Sequence, residues 1–150
     1  MIGRPARTAR AARSSDLARL VEAAVAVRRH AHAPYSKYQV GAAILTRSGA
    51  LYTGSNVENA SYGATLCAER SAIAAMVAAG DADPVACAVA TAGPEPGAPC
   101  GICRQVLAEF AHDMVISLVA VDPKGRVVRR KRTRLAALLP QAFRLAHEQA

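Results

Sequence analysis

No stretch of about 18 consecutive apolar residues occurs in the 150-residue sequence, although 52% of it is hydrophobic, and this excludes a membrane-spanning helix. The first fifteen residues lack the apolar core of a secretory signal. Met1–Ser15 is instead rich in Arg and free of acid, which predicts a disordered basic tail over residues 1–14, one domain over 15–150, and a cytoplasmic location. Cysteine is scarce, with four residues, and without an export signal they read as reduced thiols in use, not as a disulfide frame. Acids are scarce too: 11 against 19 Lys and Arg, a formal charge of +8. Such a charge raises nucleic acid as a partner, but its distribution argues otherwise. Arg4, Arg7, Arg10 and Arg13, with the seven cations between Lys124 and Arg134, make up 11 of the 19 basic residues, and the rest of the chain is left slightly acidic. No repeat or low-complexity tract is present.

Two short stretches hold the chemistry. Cys67-Ala68-Glu69-Arg70 follows a Ser/Gly loop and heads an Ala-rich helical run. Pro99-Cys100-Gly101-Ile102-Cys103-Arg104-Gln105 follows a Pro/Gly loop and heads a second helical pattern, with its two thiols one turn apart on one face. Free N–H groups and the dipole at a helix start favour thiolate, the form that binds metal. Three thiolates leave one tetrahedral position open, the pattern of a catalytic zinc and not of a closed structural one. A water placed there becomes acidic near neutral pH. Glu69, two residues from a ligand and not needed as one, is then the candidate proton carrier. Cys-x-x-Cys by itself is equally at home in a redox pair or half a zinc ribbon; Cys-x-Glu and the preceding proline tip the reading to catalytic zinc. Cys87 lies in an apolar strand and reads as a small core residue.

In chain order, Leu17, Leu20, Val21, Ala24 and Val25 predict a helix from Ser15 to about His32, capped by Ser14 or Ser15. Strands are predicted over Tyr38–Thr46 and Leu51–Val57 around an Arg47–Ala50 turn, then at Pro84–Thr91, Val115–Val121 and Arg126–Lys131. Helices run from Cys67 to Ala79 and from Gly101 to Ala111, and a last one begins near Thr133. The expected fold class is α/β: three α/β/α layers around a mixed, mainly five-stranded sheet, with the two thiol-bearing helix starts following neighbouring strands and meeting at one end.

With these residues in place, the chain from about Leu17 to Phe143 resembles the small, single-domain, homotetrameric zinc-dependent cytidine deaminases. The motifs are Cys67-Ala68-Glu69-Arg70, Pro99 to Gln105, and Gly54-Ser55-Asn56-Val57-Glu58-Asn59-Ala60-Ser61-Tyr62-Gly63, and the ligand-x-Glu and Pro-Cys-x-x-Cys elements are a known zinc deaminase signature. The resemblance implies zinc on Cys67, Cys100 and Cys103, proton transfer by Glu69, and a backbone N–H of Ala68 on the pyrimidine carbonyl. It implies Asn56 and Glu58 on the ribose, and Ala60, Tyr62 and Phe143 near the active site, with Ala60 and Tyr62 serving a neighbouring subunit. Arg70 and Arg104 are implied on the thiolates, whose combined charge over-neutralises the metal. Tyr38 stands where the family usually has phenylalanine near the base, so its hydroxyl needs a partner, and Gln39 stands where proline is usual. The implied reaction is hydrolytic deamination of cytidine and deoxycytidine in pyrimidine salvage, with free nucleoside and not nucleic acid as substrate. Two alternatives remain at this level: an aminonucleoside deaminase similar to the blasticidin-S type, and a non-enzymatic zinc module binding RNA, which requires Cys87 as a fourth ligand.

Overall fold

Strand β1 (Val40–Thr46), buried along almost its whole length, lies near the middle of a five-stranded sheet that the chain builds in the order β2-β1-β3-β4-β5. The structure is a computed structural model and describes residues 12–145. The tail expected over residues 1–14 therefore falls almost entirely outside the described residues. β2 (Leu51–Ser55) and β3 (Pro84–Ala92) flank β1 antiparallel, β4 (Val115–Val121) runs parallel to β3, and β5 (Val127–Arg134) closes the edge antiparallel to β4. The mixed sheet and its helical layers are those expected.

Period-2 alternation divides the core. Ala86, Ala88 and Ala90 of β3 face helix α1 (Ser14–Arg28), which buries Leu17, Leu20, Val21 and Ala24. Cys87 and Val89 face α2 (Ala68–Ala78) and α3 (Gly101–Phe110), which contribute Ala72, Ile73, Met76 and Leu107. Gly54 lets α2 lie directly on β2: a Cβ there would sit 2.3 Å from the Ala72 nitrogen and 2.6 Å from the Ala68 oxygen. Among the described residues no helix is long and apolar enough to cross a membrane.

The element ends differ from expectation for physical reasons. α1 begins at Ser14 with Arg13 as its cap residue, because the Asp16 carboxylate accepts the Arg13 N–H at 3.2 Å. It stops at Arg28, not near His32, since His32 is drawn off to bond Asn56 and Glu58 backbone. β1 starts two residues late and β2 ends two residues early where the pairing passes to Asn56: its side chain accepts from Val40 N–H at 2.8 Å and donates to the Tyr38 carbonyl at 2.9 Å, beside one backbone bond from its N–H to the Val40 carbonyl at 3.3 Å. β5 extends to Arg134, and the last helix, α4, is only the single turn Leu135–Leu138.

Candidate metal centre and active site

Cys67 and Cys100 are the cap residues of α2 and α3, both in extended backbone just before the first helical turn. Cys103 follows one turn into α3 and is fully buried. The two helices bring the three sulfurs within 4.8 Å of one another, Cys67 Sγ and Cys100 Sγ at 3.9 Å. Zn–S bonds of ~2.3 Å at tetrahedral angles hold sulfurs ~3.8 Å apart, so the trio fits zinc. The helices do not follow neighbouring strands as expected: α2 comes after β2 and α3 after β3, with β1 between them. Cys87 stands apart, fully buried in the core between the sheet and α2, with its thiol toward the Ala88 carbonyl. The four-cysteine site required by an RNA-binding zinc module does not form.

Electrostatics favour an anionic sulfur at Cys67. The Cys67 thiol is pulled down to about 5 by the hydrogen bond from Cys103 and, more weakly, by Arg70, while Cys103, as the donor to Cys67 in a buried position, is pushed up. Arg70 Nη2 reaches Cys67 Sγ at 3.7 Å and the Thr65 carbonyl at 2.9 Å, and its buried Nε has no partner. The Nη2 contact puts a cationic donor on the Cys67 sulfur, which suits a cage of thiolates on a cation. Glu69 is 4% exposed, and burial, reinforced by the Cys67 charge, raises its carboxyl above the usual range.

Beside the thiols is a cavity of about 220 Å³, whose walls include Tyr38, Asn56, Ala68, Glu69, Thr91 and Cys100. Tyr38, Asn56, Ala68 and Glu69 share this cavity with Cys67 and Cys100. Glu58, Tyr62 and Thr65 line a neighbouring depression, and only Thr65 belongs to both. Glu58 accepts N–H bonds from Tyr35 at 2.9 Å and Ser36 at 3.2 Å and a bond from the Ser36 hydroxyl, and this last contact leads in holding its carboxyl below the usual range. Ala60 and Tyr62 are exposed, and Phe143, gripped through its backbone by the Gln105 amide, is exposed as well. Arg104 differs from expectation. Its Nε donates to Pro99 at 2.8 Å and its Nη1 to Leu138 at 3.0 Å, so it braces the backbone that delivers Cys100 while Arg70 serves the sulfur.

Thr91 escaped the reading from sequence. It is 3% exposed at the end of β3, lines the cavity, and accepts the Gly97 N–H at 2.8 Å, pinning the loop that ends in Cys100. Gly97 leaves room for the Tyr38 hydroxyl, which would stand 3.1 Å from a Cβ at that position. A lone hydroxyl closing an Ala/Val strand was the available signal.

Comparison with known proteins agrees with this geometry. The family model for the cytidine and deoxycytidylate deaminase zinc-binding region matches residues 14–119. The cytidine deaminase of Halalkalibacterium halodurans is 48% identical over 95 residues, 63% of this chain and 72% of that protein. The cytidine deaminase of Sporosarcina psychrophila is 40% identical over 128 residues, 85% of this chain and 91% of its own length. The crystal structure of cytidine deaminase from Burkholderia pseudomallei superposes with a TM-score of 0.74 at 43% identity, covering 84% of this chain and 98% of that one.

Proposed function

The chain belongs to the cytidine and deoxycytidylate deaminase zinc-binding family, and from that premise we propose that it removes the C4 amine of cytidine and 2′-deoxycytidine by hydrolysis, giving the corresponding uridine and ammonia. The observation that carries the reading is a cluster of three thiols, two of which line one cavity together with a buried carboxylate. Zinc is the cofactor; held by Cys67, Cys100 and Cys103, it supplies Lewis acidity and lowers the pKa of water in the site.

Glu69 stands two residues after Cys67 and is not a member of the sulfur trio, so it is available for proton transfer without being a ligand. It takes one proton from water and delivers it to N3 of the pyrimidine, then takes the second from the new C4 hydroxyl and delivers it to the departing nitrogen. A C4–O bond forms, the C4–N bond breaks, and water supplies both the oxygen and the protons, so no further reactant is needed. Ala68, at the first position of α2, has a backbone N–H without a helical acceptor, suited to the pyrimidine carbonyl. Arg70 keeps the Cys67 sulfur anionic.

Asn56 and Glu58 are assigned to the sugar hydroxyls. The Glu58 carboxylate, ionised by its Ser36 and Tyr35 contacts, accepts from a free 3′-OH and repels a 3′-phosphate, which favours nucleosides over polynucleotides. Tyr62, 80% exposed, and Phe143, 70% exposed, are large apolar side chains left uncovered by one chain, which supports a homotetramer in which Ala60, Tyr62 and Phe143 approach a neighbour's site. Three thiols serving as ligands require a reducing compartment, which supports a cytoplasmic role in pyrimidine salvage.

The test is ultraviolet absorbance of cytidine mixed with the zinc-loaded protein, with a cytosine-containing oligonucleotide at equal concentration as a second arm. Conversion of cytidine to uridine with the oligonucleotide untouched is expected. No conversion of cytidine, or comparable turnover of the oligonucleotide, overturns the assignment.

A further inference from the structure

On the face of the sheet opposite the thiol cavity, a cleft of about 330 Å³ opens between α1 and the edge formed by β4 and β5. Its apolar wall is the Leu17 and Val21 face of α1, and its opposite wall carries Arg130 and Arg132. The register explains their direction: Arg130 pairs with Val119 and Arg132 with Ser117, and Val119 packs under α1, so both guanidinium stems rise on the α1 side.

Charge there is left over. On the same strand region Arg126 is ion-paired with Asp122, Arg129 with Glu95 and Arg134 with Asp113, whereas the guanidinium groups of Arg130 and Arg132 have no ion pair or hydrogen bond among the described residues. At the floor, Ser117 is only 7% exposed and its hydroxyl makes no hydrogen bond to a described residue. That hydroxyl is not sealed in the core; it is open to the cleft, where a bound group can become its partner. The cleft also includes Ser14, the first residue of the 15-residue helix α1, where backbone N–H groups and the dipole favour an anion. Asp16 in that turn does not line the cleft; its carboxylate faces the Arg13 N–H and, at 3.9 Å, Arg19.

We propose that this cleft binds the terminal phosphate of a small phosphorylated metabolite, with Arg130 and Arg132 as its clamp, Ser117 as the donor at the floor, and an apolar portion of the ligand against Leu17 and Val21. The volume is at the low end of small-molecule sites, ~300–1,000 Å³. A group that reaches Ser117 must be a chain end, since a phosphodiester in mid-strand is held at the rim by its flanking sugars. The chain's own residues 1–11 are a poor occupant on charge, as they bring Arg4, Arg7 and Arg10 and no acid.

The experiment is calorimetric titration of the full-length zinc-loaded protein with pyrophosphate, adenosine 5′-monophosphate, adenosine, and an oligonucleotide hydroxylated at both ends. Adenosine lacks the cytosine C4 amine, which keeps the assay away from deamination. One site per chain is expected for a phosphorylated probe and none for adenosine. Pyrophosphate alone binding identifies free phosphates as the ligand class; tighter binding of the nucleotide places the apolar wall in contact with its ring. R130Q/R132Q is expected to weaken binding by about tenfold or more, S117A to weaken it less, and R130K/R132K to fall between, with cytidine turnover unchanged in all three. Wild-type affinity in R130Q/R132Q, no binding of either phosphorylated probe, or equal and equally variant-sensitive binding of the end-hydroxylated oligonucleotide would each overturn the proposal.

Discussion

Replacing Gly54 with alanine separates the positioning of the catalytic helix from the stability of the fold. A Cβ at this position in β2 would stand 2.3 Å from the Ala72 nitrogen, 2.6 Å from the Ala68 oxygen and 2.6 Å from the Ser71 Cβ, where ordinary contact begins near 3.4 Å. Two of those three atoms are backbone of α2, so no rotamer change relieves the clash and the helix must lift by about 1 Å. Its first turn carries Ala68 and Glu69, and its cap residue is Cys67. Overpacking of this kind costs about 1–3 kcal/mol, a drop in melting temperature of roughly 3–10 °C for a domain of this size. A displacement of about 1 Å at reacting groups costs on the order of 10²-fold in rate. Gly41→Ala is the control: its Cβ would meet the Ala24 oxygen at 2.1 Å and push α1 from the opposite face of the sheet. Calorimetric melting and steady-state kinetics on cytidine are the assays. Both variants are expected to lose stability, and only Gly54→Ala to lose kcat by tenfold or more. A wild-type kcat in Gly54→Ala, or equal kcat losses in the two, refutes the claim that this close approach sets the catalytic geometry.

Zinc per chain, measured by atomic emission, is expected to stay at one in Cys87→Ala and to be largely lost in Cys67→Ala, Cys100→Ala and Cys103→Ala; loss in Cys87→Ala contradicts the three-thiol site. Thr91→Val removes the acceptor for the Gly97 N–H and is expected to speed release of zinc to a chelator, while Thr91→Ser restores the wild-type rate. Equal release from all three proteins would show that the loop is held by other contacts. For Asp113, burial opposes ionisation but the Ala136 N–H and the Arg134 guanidinium outweigh it, so the folded pKa lies below the unfolded one. The stabilisation is therefore present above the unfolded pKa of ~3.9 and is lost as pH falls through the lower folded value. It is a surface pair of less than ~1 kcal/mol, seen as a shallower acid-side loss of stability between about pH 5 and 3 in Asp113→Asn than in wild type; parallel curves would remove Asp113 from the account.

The metal centre could be read before the fold because its determinants are local. A cysteine at a helix start and another one turn later need only the loop-to-helix switch to be placed, and Cys67, Cys100 and Cys103 meet as their spacing implied. Cys87 was separable for the same reason, lying in an apolar strand and not at a helix start. What escaped depends on approaches across the sheet. Nothing near Asn56 in sequence announces that its side-chain amide joins the backbone in closing β1 against β2. Arg104 reads as a partner for thiolates until the Pro99 and Leu138 carbonyls, the latter from α4, come within its reach. Thr91 and Gly97 act through a bond across a loop, and the room for the Tyr38 hydroxyl comes from the missing side chain at Gly97. The length of β5 was underestimated because an edge strand with cations on both faces carries no period-2 signal.

The central claim is that one buried carboxylate beside a three-thiol zinc site moves the protons of deamination. Its most direct test is the kcat of Glu69→Gln on cytidine, measured on protein whose zinc content and melting temperature match the wild type. A positioned acid/base group contributes ~10²- to 10⁴-fold, and here a single residue serves both transfers, so turnover is expected to fall by at least the lower of these factors with zinc retained. A zinc-replete Glu69→Gln that keeps more than about a tenth of wild-type kcat contradicts the account.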